Sequence, residues 1–417
     1  MKTYNQNLLN IVIPTKNRSE TIKFSIKTIL QQNYRNLRII ISDNNSKDGT
    51  RELVEGFDDN RLKYYFHTED ISMRENWEFG LSKAEDGFVT IMGDDDGFCP
   101  NSFFKINEII NKNNYNVINW TTTSYFWPIS AAENNSSANI RFYKNNIQEI
   151  KSKVKIKNIL EMNEIYSDGP MIYNSFLSVD LIKSIKKKQG NVFFLNGIPD
   201  MSSLYSILLN TNIYCRINLP IGVAGASKKS NGSIFKNNNN SFNEVKKNLS
   251  MFNIYQNIVP SFYFTTIYPY KDFMKVYPSF SNNHPINYFK LIARVMDELK
   301  TYDEKNYKEF YRSFCNFLKV EFSRLSFIKK IKIFFINLKI ERVDYYFSKN
   351  MSFDKYKEQN ILTASKLISD IYRAQSNERN ENFLIKFLKH IGLYGIIYFL
   401  KNFFIIMKVL RDKNEAR

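Results

Sequence analysis

Short apolar runs alternate with helically spaced segments over about the first 120 residues of the chain. Three of these runs are rich in β-branched residues and predict strands: residues 10–14, 37–42 and 88–92. The residues that share one helical stripe between the first two runs are Thr21, Phe24, Ile26, Ile29 and Leu30. Apolar strands that alternate with helices form a parallel sheet covered on both faces. We therefore predict an α/β fold that binds ligands at the carboxyl edge of its strands.

The pattern is less regular between about residues 121 and 225. It predicts strands near residues 141–143 and 213–217, and helices near residues 154–162 and 200–209. Residues 228–243 are polar and rich in asparagine, which is typical of a loop or linker.

Beyond this polar stretch the chain becomes helical, basic and aromatic. Residues 327–340 and 383–410 mix Ile, Phe, Leu and Tyr with lysines, as do helices that lie in an anionic lipid interface. Burial of these two segments against each other, or against a second copy of the chain in a homodimer, explains the pattern equally well. We predict three regions: a sheet-containing domain over 1–225, a linker over 226–248 and a mainly helical C-terminal region over 249–417.

Charge and cysteine content narrow the class of partner and the compartment. The 417 residues include 59 Lys and Arg against 41 Asp and Glu, a net charge of +18 that favours a polyanionic or phosphorylated partner. Three widely separated cysteines exclude a disulfide framework. The N-terminus lacks the features of a signal peptide, and no apolar run is long enough to span a bilayer. We therefore expect a cytoplasmic protein, peripheral on the inner face of the plasma membrane.

An acidic cluster directly follows the third apolar run. Asp94, Asp95 and Asp96 lie between Gly93 and Gly97, and three adjacent carboxylates repel one another unless a cation offsets their charge. Carboxylate oxygens suit Mg²⁺ or Mn²⁺, which keep open positions for phosphate oxygens. A solvated acidic turn explains the same residues. The position of the cluster at a strand end, beside two other candidate loops, favours the cation site.

These two loops follow the first and second predicted strands. The first, residues 14–18, contains Lys16 and Arg18, whose charges suit a phosphate. The second, residues 42–50, contains Asp43, which can accept a hydrogen bond from a nucleobase or a ribose. The last three residues of this loop, 48–50, predict a turn and the start of a helix.

Four strings resemble the family-2 glycosyltransferases of the GT-A fold, in the order and spacing of that family. They are IVIPTKNRS at 11–19, ILQQNY at 29–34, LRIIISDNNSKDGT at 37–50 and DGFVTIMGDDDGFCPNS at 86–102. Each string alone is weak evidence for a resemblance to this family, whereas the ordered set of strings is specific to it. The resemblance implies a Rossmann-like mixed sheet, a nucleotide-diphospho-sugar donor with a UDP-sugar preferred, Mn²⁺ or Mg²⁺, and an inverting transfer.

By position, the resemblance implies a donor site at three loops. The residues that would line the nucleotide pocket are Pro14, Thr15, Asn17 and Arg18, with Asp43 on the base and Asn45 nearby. Between the third and fourth strands, Arg74 and Asn76 resemble residues that the family offers to the donor, although an ordinary amphipathic helix explains them as well.

The acidic motif departs from the family at its first position. The common form is Asp-x-Asp-Asp, four residues before a proline, and counting back from Pro100 puts Gly93 where the first aspartate belongs. The resemblance implies that Asp95 and Asp96 hold the metal and the diphosphate, with Asp94 on the ribose or the metal.

The family also places a catalytic carboxylate before a helix in the second half of the domain. Asp200 follows a glycine–proline turn at this place and is the candidate base, while a plain helix N-cap is the alternative interpretation. Asp168 is a reserve candidate and is more typical of a turn.

The expected function is transfer of a sugar to a glycan or lipid-diphosphate-linked acceptor in bacterial surface polysaccharide synthesis, as capsule, O-antigen or lipooligosaccharide. A basic nucleic-acid-binding protein is an alternative, but the lysines and aromatic residues cluster in apolar helices, and we expect no nucleic acid partner. A sugar-nucleotide pyrophosphorylase is a second alternative, although the first loop lacks the glycines that it requires. The absence of Gly-x-x-x-x-Gly-Lys excludes a P-loop NTPase.

Overall fold

The structure of the chain is a computed structural model. The residues that the structure describes are 5–128, 137–142, 146–227, 229–230, 269–270, 272–281, 286–287, 290–291, 294–295, 312, 347–352 and 360–375. The basic aromatic segments at 327–340 and 383–410, and most of the polar segment at 228–243, lie outside them. None of the helices in the described ranges is long and apolar enough to cross a membrane.

Eleven strands join one mixed sheet. The strands are β1 Leu9–Thr15, β2 Leu37–Asp43, β3 Leu62–Phe66, β4 Phe88–Ile91, β5 Gly97–Phe98, β6 Val117–Phe126, β7 Ser137–Phe142, β8 Ile147–Lys151, β9 Ser175–Ser178, β10 Ile213–Ala226 and β11 Phe347–Ser352. The helices are α1 Ser19–Leu30, α2 Thr50–Glu55, α3 Met73–Ser82, α4 Ser102–Lys112, α5 Ser152–Leu160, α6 Val179–Lys188, α7 Pro199–Asn210, α8 Pro278–Ser281 and α9 Ile361–Gln375.

The N-terminal half of the sheet is parallel, as the continuous apolar runs predict. Strands β1 and β2 pair in parallel with Thr15 opposite Asp43, β2 pairs with β3, and β1 pairs with β4 on its other side. Because the carboxyl ends of parallel strands share one edge of the sheet, the first two candidate loops begin side by side. The acidic cluster follows β4 at the same edge.

Antiparallel strands extend the sheet beyond β4. Strand β9 lies between β4 and β6 and is antiparallel to both. The long strand β10 runs parallel to β6 and antiparallel to β5, with Val223 opposite Gly97. Because β5 directly follows the acidic cluster, this register brings the carboxyl end of β10 onto the cluster. The prediction of a mixed α/β sheet is confirmed, although the sequence indicated only the first residues of β10.

Two apolar layers cover the faces of the sheet. Alternate residues of β1 face opposite sides, with Ile11 and Ile13 in one layer and Val12 in the other. Helices α1 and α4 pack on the first side, and α3, α5, α6 and α7 pack on the second. Burial on both faces explains why β1 has no exposed position and reads as an uninterrupted apolar run.

Two elements close to the C-terminus return to this sheet. Strand β11 pairs antiparallel with β7. Helix α9 places Ile361, Ala364 and Ile368 in a buried cluster with Trp127 and with Phe24 of α1. This part of the chain therefore covers the back of the acidic cluster. The division into three regions stays a prediction.

Candidate active site

The loop after β1 contacts the acidic cluster directly. Thr15 Oγ1 donates a hydrogen bond of 2.8 Å to Asp94 Oδ2, and Arg18 Nε lies 3.6 Å from Asp94 Oδ1. Ser25 of α1 donates to the Asp94 carbonyl at 3.0 Å. Asp94 is 7% exposed, so a hydroxyl and a guanidinium are its partners in place of bulk water.

Asp95 is held from the far end of β10. Its Oδ2 accepts hydrogen bonds from the Ser227 amide at 3.2 Å, from the Ser227 hydroxyl at 2.7 Å and from the Ser230 hydroxyl. Trp127 Nε1 donates to the Asp95 carbonyl at 3.0 Å. In the described part of the chain no donor reaches Asp95 Oδ1. The carboxylate is therefore fixed by one oxygen while the other is left for a ligand.

Asp96 folds back over Gly93. Its Oδ2 accepts from the Gly93 amide at 2.9 Å, and its Oδ1 accepts from the Gly225 amide at 2.7 Å. A Cβ at position 93 would lie 2.7 Å from Asp96 Oδ2 and 3.3 Å from Asp95 Oδ1. At the position where the family has its first aspartate, a side chain would therefore require the Asp96 carboxylate to shift.

Burial and the charge of Asp95 raise the pKa of Asp94 and of Asp96. Burial raises the pKa of Asp94 to about 7, against the lowering effects of Arg18 and Thr15 and with the charge of Asp95 adding to the rise. Burial also raises the pKa of Asp96, and the charge of Asp95 adds to it. An added cation would relieve this repulsion.

Asp95 Oδ1 and Asp96 Oδ2 both lie beside Gly93, and a divalent cation bound there would share Asp96 Oδ2 with the Gly93 amide. Within the described ranges no group of three or more His, Cys, Asp or Glu side chains could hold a metal ion. Two carboxylates nevertheless match the way Mg²⁺ is usually bound, with water and substrate phosphate completing its coordination. The donor set therefore fits a metal shared with a phosphorylated ligand.

The first and second candidate loops are joined by Asn17. This residue has a φ of 54°, a left-handed conformation that asparagine tolerates. Its amide donates to Ser46 Oγ at 2.7 Å, and its Oδ1 accepts from the Lys47 amide at 2.7 Å. Pro14, the first residue of the predicted loop, is buried in β1. The loops after β1 and β2 thus form one rigid rim.

Asp43 lies at this rim but is not open to it. The residue is 0% exposed, its Oδ1 accepts from the Ser46 amide at 2.9 Å and its Oδ2 accepts from the Tyr64 hydroxyl at 2.8 Å. Both oxygens of the predicted base-binding carboxylate are therefore engaged within the protein.

Asn45 faces the other side of the same loop. It has a φ of 59°, and its Nδ2 donates to Asp70 Oδ1 at 3.1 Å. Lys16 pairs with the other oxygen of Asp70 at 2.8 Å. Residues 48–50 form the predicted turn, in which Asp48 accepts a hydrogen bond from the Thr50 amide that begins α2.

The two residues singled out on α3 have different surroundings. Asn76 is buried, and it exchanges hydrogen bonds with the Ser42 hydroxyl at 2.6 Å and the Ser42 carbonyl at 3.0 Å. Arg74 is partly exposed and reaches the Phe194 carbonyl at 3.4 Å. Asn76 therefore supports strand β2, whereas Arg74 lies beside the segment that leads to Asp200.

Asp200 is the second residue of α7 and does not cap it. Ile198 holds the N-cap position, Pro199 begins the helix, and no side-chain hydrogen bond caps it. The residue is partly exposed, yet the surrounding protein desolvates the carboxyl enough to raise its pKa to about 6. The N-cap alternative is wrong, and the raised pKa is typical of a general base.

The reserve candidate, Asp168, is a buried structural residue. It ends the 3₁₀ turn Tyr166–Asp168, is 3% exposed, and has the Arg216 guanidinium 3.8 Å from its carboxylate. Asp168 is therefore held inside the protein by the buried Arg216 side chain.

Sequence reasoning missed the residues that reach the cluster from beyond β10. Arg18 donates to Ser227 Oγ at 2.9 Å and to the Lys229 carbonyl, and Lys229 Nζ donates to the Asn17 carbonyl at 3.1 Å. Ser227 and Lys229 lie at the edge of an asparagine-rich stretch whose composition indicates only a loop. No local pattern identifies them.

Residues 10–167 match the family described as Glycosyl transferase family 2. The N-terminal part of this chain is similar to the family-2 glycosyltransferases. The matched range contains the β1 loop, the β2 loop and the acidic cluster, while Asp200 and Ser227 lie beyond it.

Three curated proteins that this chain is similar to come from bacteria. The GalNAc(5)-diNAcBac-PP-undecaprenol beta-1,3-glucosyltransferase of Campylobacter jejuni is 37% identical over 21% of this chain and 29% of its own. GlyG of Streptococcus pneumoniae is 24% identical over 50% of this chain and 69% of its own. WfgD of Escherichia coli, a UDP-Glc:alpha-D-GlcNAc-diphosphoundecaprenol beta-1,3-glucosyltransferase, is 29% identical over 27% of this chain and 47% of its own. The chain thus spans less than half the length of the two named glucosyltransferases.

Solved structures of similar fold are more distant. The S. aureus TarS 1-349 complex with UDP has a TM-score of 0.42 at 13% identity, over 72% of this chain and 82% of TarS 1-349. The mannosyltransferase PcManGT from Pyrobaculum calidifontis, in complex with GDP-Man and Mn²⁺, has a TM-score of 0.38 at 12% identity, over 90% and 89% of the two chains.

Proposed function

We propose that this chain is an inverting, metal-dependent glycosyltransferase of bacterial surface polysaccharide synthesis. The observation on which the proposal rests is the contact of Thr15 and Arg18 with Asp94, which joins the loop after β1 to the acidic cluster after β4. A cation-binding carboxylate pair beside a fixed guanidinium suits a diphosphate group. The match of residues 10–167 to glycosyl transferase family 2 supports the transfer of a sugar over the pyrophosphorylase alternative.

A UDP-sugar is the proposed donor, with glucose as the first sugar to test. Two relatives are named glucosyltransferases, and the name of one includes UDP-Glc. Both names also contain an undecaprenol diphosphate acceptor. A lipid-diphosphate-linked glycan is therefore the proposed acceptor here. Membrane-surface binding and a homodimer stay predictions, because the segments at 327–340 and 383–410 on which they depend lie outside the described residues.

The rim around Asn17 is the proposed nucleotide site. Arg18 offers a guanidinium already oriented by Asp94 and Ser227, while Thr15 and the backbone of Asn17 can bond to the nucleotide. Because Asp43 is buried with both oxygens engaged, we assign it the shaping of the base pocket through Ser46 and Tyr64. Asn45 would border the same pocket.

Asp95 and Asp96 are the proposed ligands of Mg²⁺ or Mn²⁺, through the oxygens that flank Gly93. Such an ion stabilises negative charge on a departing diphosphate. Asp94 is held by Thr15 and is assigned to the ribose side of the cluster. Arg74 would contact the donor or acceptor from α3, beside the segment that leads to Asp200.

Asp200 is the proposed general base. Its carboxylate takes the proton of the acceptor hydroxyl as the acceptor oxygen forms a bond to the anomeric carbon of the donor sugar. The bond from this carbon to the diphosphate breaks on the opposite side, and the nucleoside diphosphate leaves with the electron pair. Because attack and departure are on opposite sides, the anomeric configuration inverts.

A transfer assay tests this proposal. The purified chain is incubated with Mn²⁺, radiolabelled UDP-glucose and an undecaprenyl-diphosphate-linked GlcNAc acceptor. We expect label in the lipid product, its loss when the metal is chelated, and UDP as the second product. Release of inorganic pyrophosphate, or no transfer from any of a panel of UDP-, GDP- and dTDP-sugars, would contradict the proposal.

A further inference from the structure

Both backbone polar groups of Ile172 bond to buried hydroxyls. Thr90 Oγ1 donates to the Ile172 carbonyl at 2.8 Å, and the Ile172 amide donates to Ser203 Oγ at 3.2 Å. Thr90 and Ser203 are each 0% exposed. Ile172 begins the 3₁₀ turn Ile172–Asn174, whose short hydrogen-bond pattern leaves these groups without helical partners.

The Ser203 hydroxyl continues this chain of hydrogen bonds to the proposed base. It donates to the Asp200 carbonyl at 2.8 Å, so one hydroxyl accepts from Ile172 and donates to the first turn of α7. Thr90 lies on β4, the strand that ends immediately before the acidic cluster. Three hydrogen bonds, two of them buried and the third partly buried, therefore connect the strand before the cluster to the backbone of Asp200.

The same 3₁₀ turn also borders the acidic cluster from the side. Tyr173, the residue after Ile172, lines a small pocket together with Asp96, Trp120 and Gly222. Ile172 and Tyr173 therefore link the pocket that Asp96 lines to the hydroxyl that bonds to the Asp200 backbone. A shift of this turn would move both.

We propose that Thr90 and Ser203 are positioning residues that fix the Asp200 carboxylate relative to the acidic cluster. This inference rests on the proposed function of Asp200 as the base. Among the described residues no donor orients the Asp200 carboxylate, so its position depends on the backbone of the first turn of α7. A displacement of about 1 Å can lower a rate by about 100-fold, because proton transfer and attack require aligned atoms.

A purely structural role for the two hydroxyls is the competing explanation, and the chain offers matched controls for it. Thr123 and Ser152 are also 0% exposed, and their hydroxyls have no hydrogen-bond partner among the described residues. Thr123 lies on β6, and Ser152 begins α5. The substitutions Thr123→Val and Ser152→Ala remove equally buried hydroxyls that hold nothing in place.

The experiment measures kcat and the donor KM of the full chain in the transfer assay. For Thr90→Val and Ser203→Ala we expect kcat to fall about 10- to 100-fold with the donor KM unchanged, since the donor loops are untouched. Thr90→Ser keeps the hydroxyl and should restore most of kcat. Ser203→Cys, close in size but a weaker donor, should give an intermediate value. The apparent pKa of the rate profile should also move in Ser203→Ala.

The outcomes separate this inference from the function on which it rests. Wild-type kcat in Asp200→Asn would show that the base assignment is wrong. A low kcat in Asp200→Asn together with wild-type kcat in Thr90→Val and Ser203→Ala would overturn the positioning role alone. Equal losses of kcat in Thr123→Val and Ser152→Ala would also overturn it, because general loosening of the core would then explain the effect. If Thr90→Val or Ser203→Ala does not fold, the kcat values of Thr90→Ser and Ser203→Cys test the positioning role in their place.

Discussion

At the residue scale, Gly93 shows how the absence of one Cβ shapes the acidic cluster. Asp96 Oδ2 would lie 2.7 Å from that Cβ, which is closer than a carbon and an oxygen can approach without displacement. The glycine therefore lets the carboxylates of Asp95 and Asp96 converge. The two oxygens proposed as cation ligands, Asp95 Oδ1 and Asp96 Oδ2, thus lie beside the position where the motif lacks its first aspartate.

The strongest residue-scale prediction concerns Asp200 and pH. Burial raises its pKa to about 6, so the base becomes ionised, and kcat should rise, as pH increases through about 6. Asp200→Asn should lower kcat by about 100- to 10,000-fold and abolish that rise.

The same substitution should change the stability of the fold. A carboxyl whose pKa is higher in the folded than in the unfolded protein favours the protonated form, so its ionisation destabilises the fold. The free energy of unfolding therefore falls as pH rises from about 4 to 6. The variant should therefore have a higher Tm than the wild type at pH 8.

Asp180 is the matched control for this substitution. It is the second residue of α6, as Asp200 is of α7, but it is exposed. Asp180→Asn removes the same favourable interaction with a helix N-terminus, so it should leave kcat unchanged and slightly lower the Tm. A Tm at pH 8 that falls equally in both variants would contradict the desolvation of Asp200.

At the element scale, strand β10 completes the candidate site. It pairs with β5 beside the cluster, and its continuation places Ser227 and Ser230 on one oxygen of Asp95. Hydrogen bonds to the second oxygen of a metal-binding carboxylate orient the first oxygen toward the ion. The segment after β10 therefore acts as support for the proposed metal ligand.

The element-scale prediction tests this support. The double substitution Ser227→Ala and Ser230→Ala should weaken Mn²⁺ binding by about 10- to 100-fold, because Asp95 loses both hydroxyl donors. The free Mn²⁺ concentration measured by electron paramagnetic resonance reports this affinity. Ser82→Ala, which removes an exposed hydroxyl bonded only to its own helix, is the control and should bind Mn²⁺ as the wild type does. Unchanged or tighter binding by the double variant would refute the supporting role.

Sequence periodicity revealed the parallel half of the sheet and missed much of the antiparallel half. Strands β1, β2 and β4 are buried on both faces, so burial itself produces the apolar runs that predict them. Strand β9, Ser175–Ser178, is short and has no such run, and its place in the sheet depends on pairing with β4 and β6. Local sequence does not encode a partner that distant.

The candidate site likewise contains some residues that the sequence predicts and others that it does not. Thr15, Arg18 and Asp94 follow strands that periodicity identifies, so their meeting at one edge of the sheet could be anticipated. The burial of Asp43 could not, because Tyr64 reaches it from β3. The contact of Ser227 with Asp95 joins residues 132 positions apart and depends on the register of β10.

At the scale of the whole molecule, the loops of the parallel half and the end of β10 meet at one rim. Arg18 spans this meeting point, since its guanidinium lies against Asp94 and donates to Ser227 Oγ. Helix α9 closes the opposite side of the cluster with Ile361 and Trp127 in one buried group. The proposed diphosphate site is therefore assembled from three distant parts of the chain, and its ligands depend on the complete sheet.

Calorimetric titration of UDP, with and without Mn²⁺, tests the central claim most directly. If the acidic cluster holds a divalent ion against a diphosphate, the wild type should bind UDP more tightly with Mn²⁺ than without it. In Asp95→Ala the increase in UDP affinity caused by Mn²⁺ should be smaller by more than about 100-fold. Asp58→Ala, at an exposed position, should keep the full increase. A gain from Mn²⁺ that is the same in Asp95→Ala as in the wild type, or no gain in the wild type, would contradict the account.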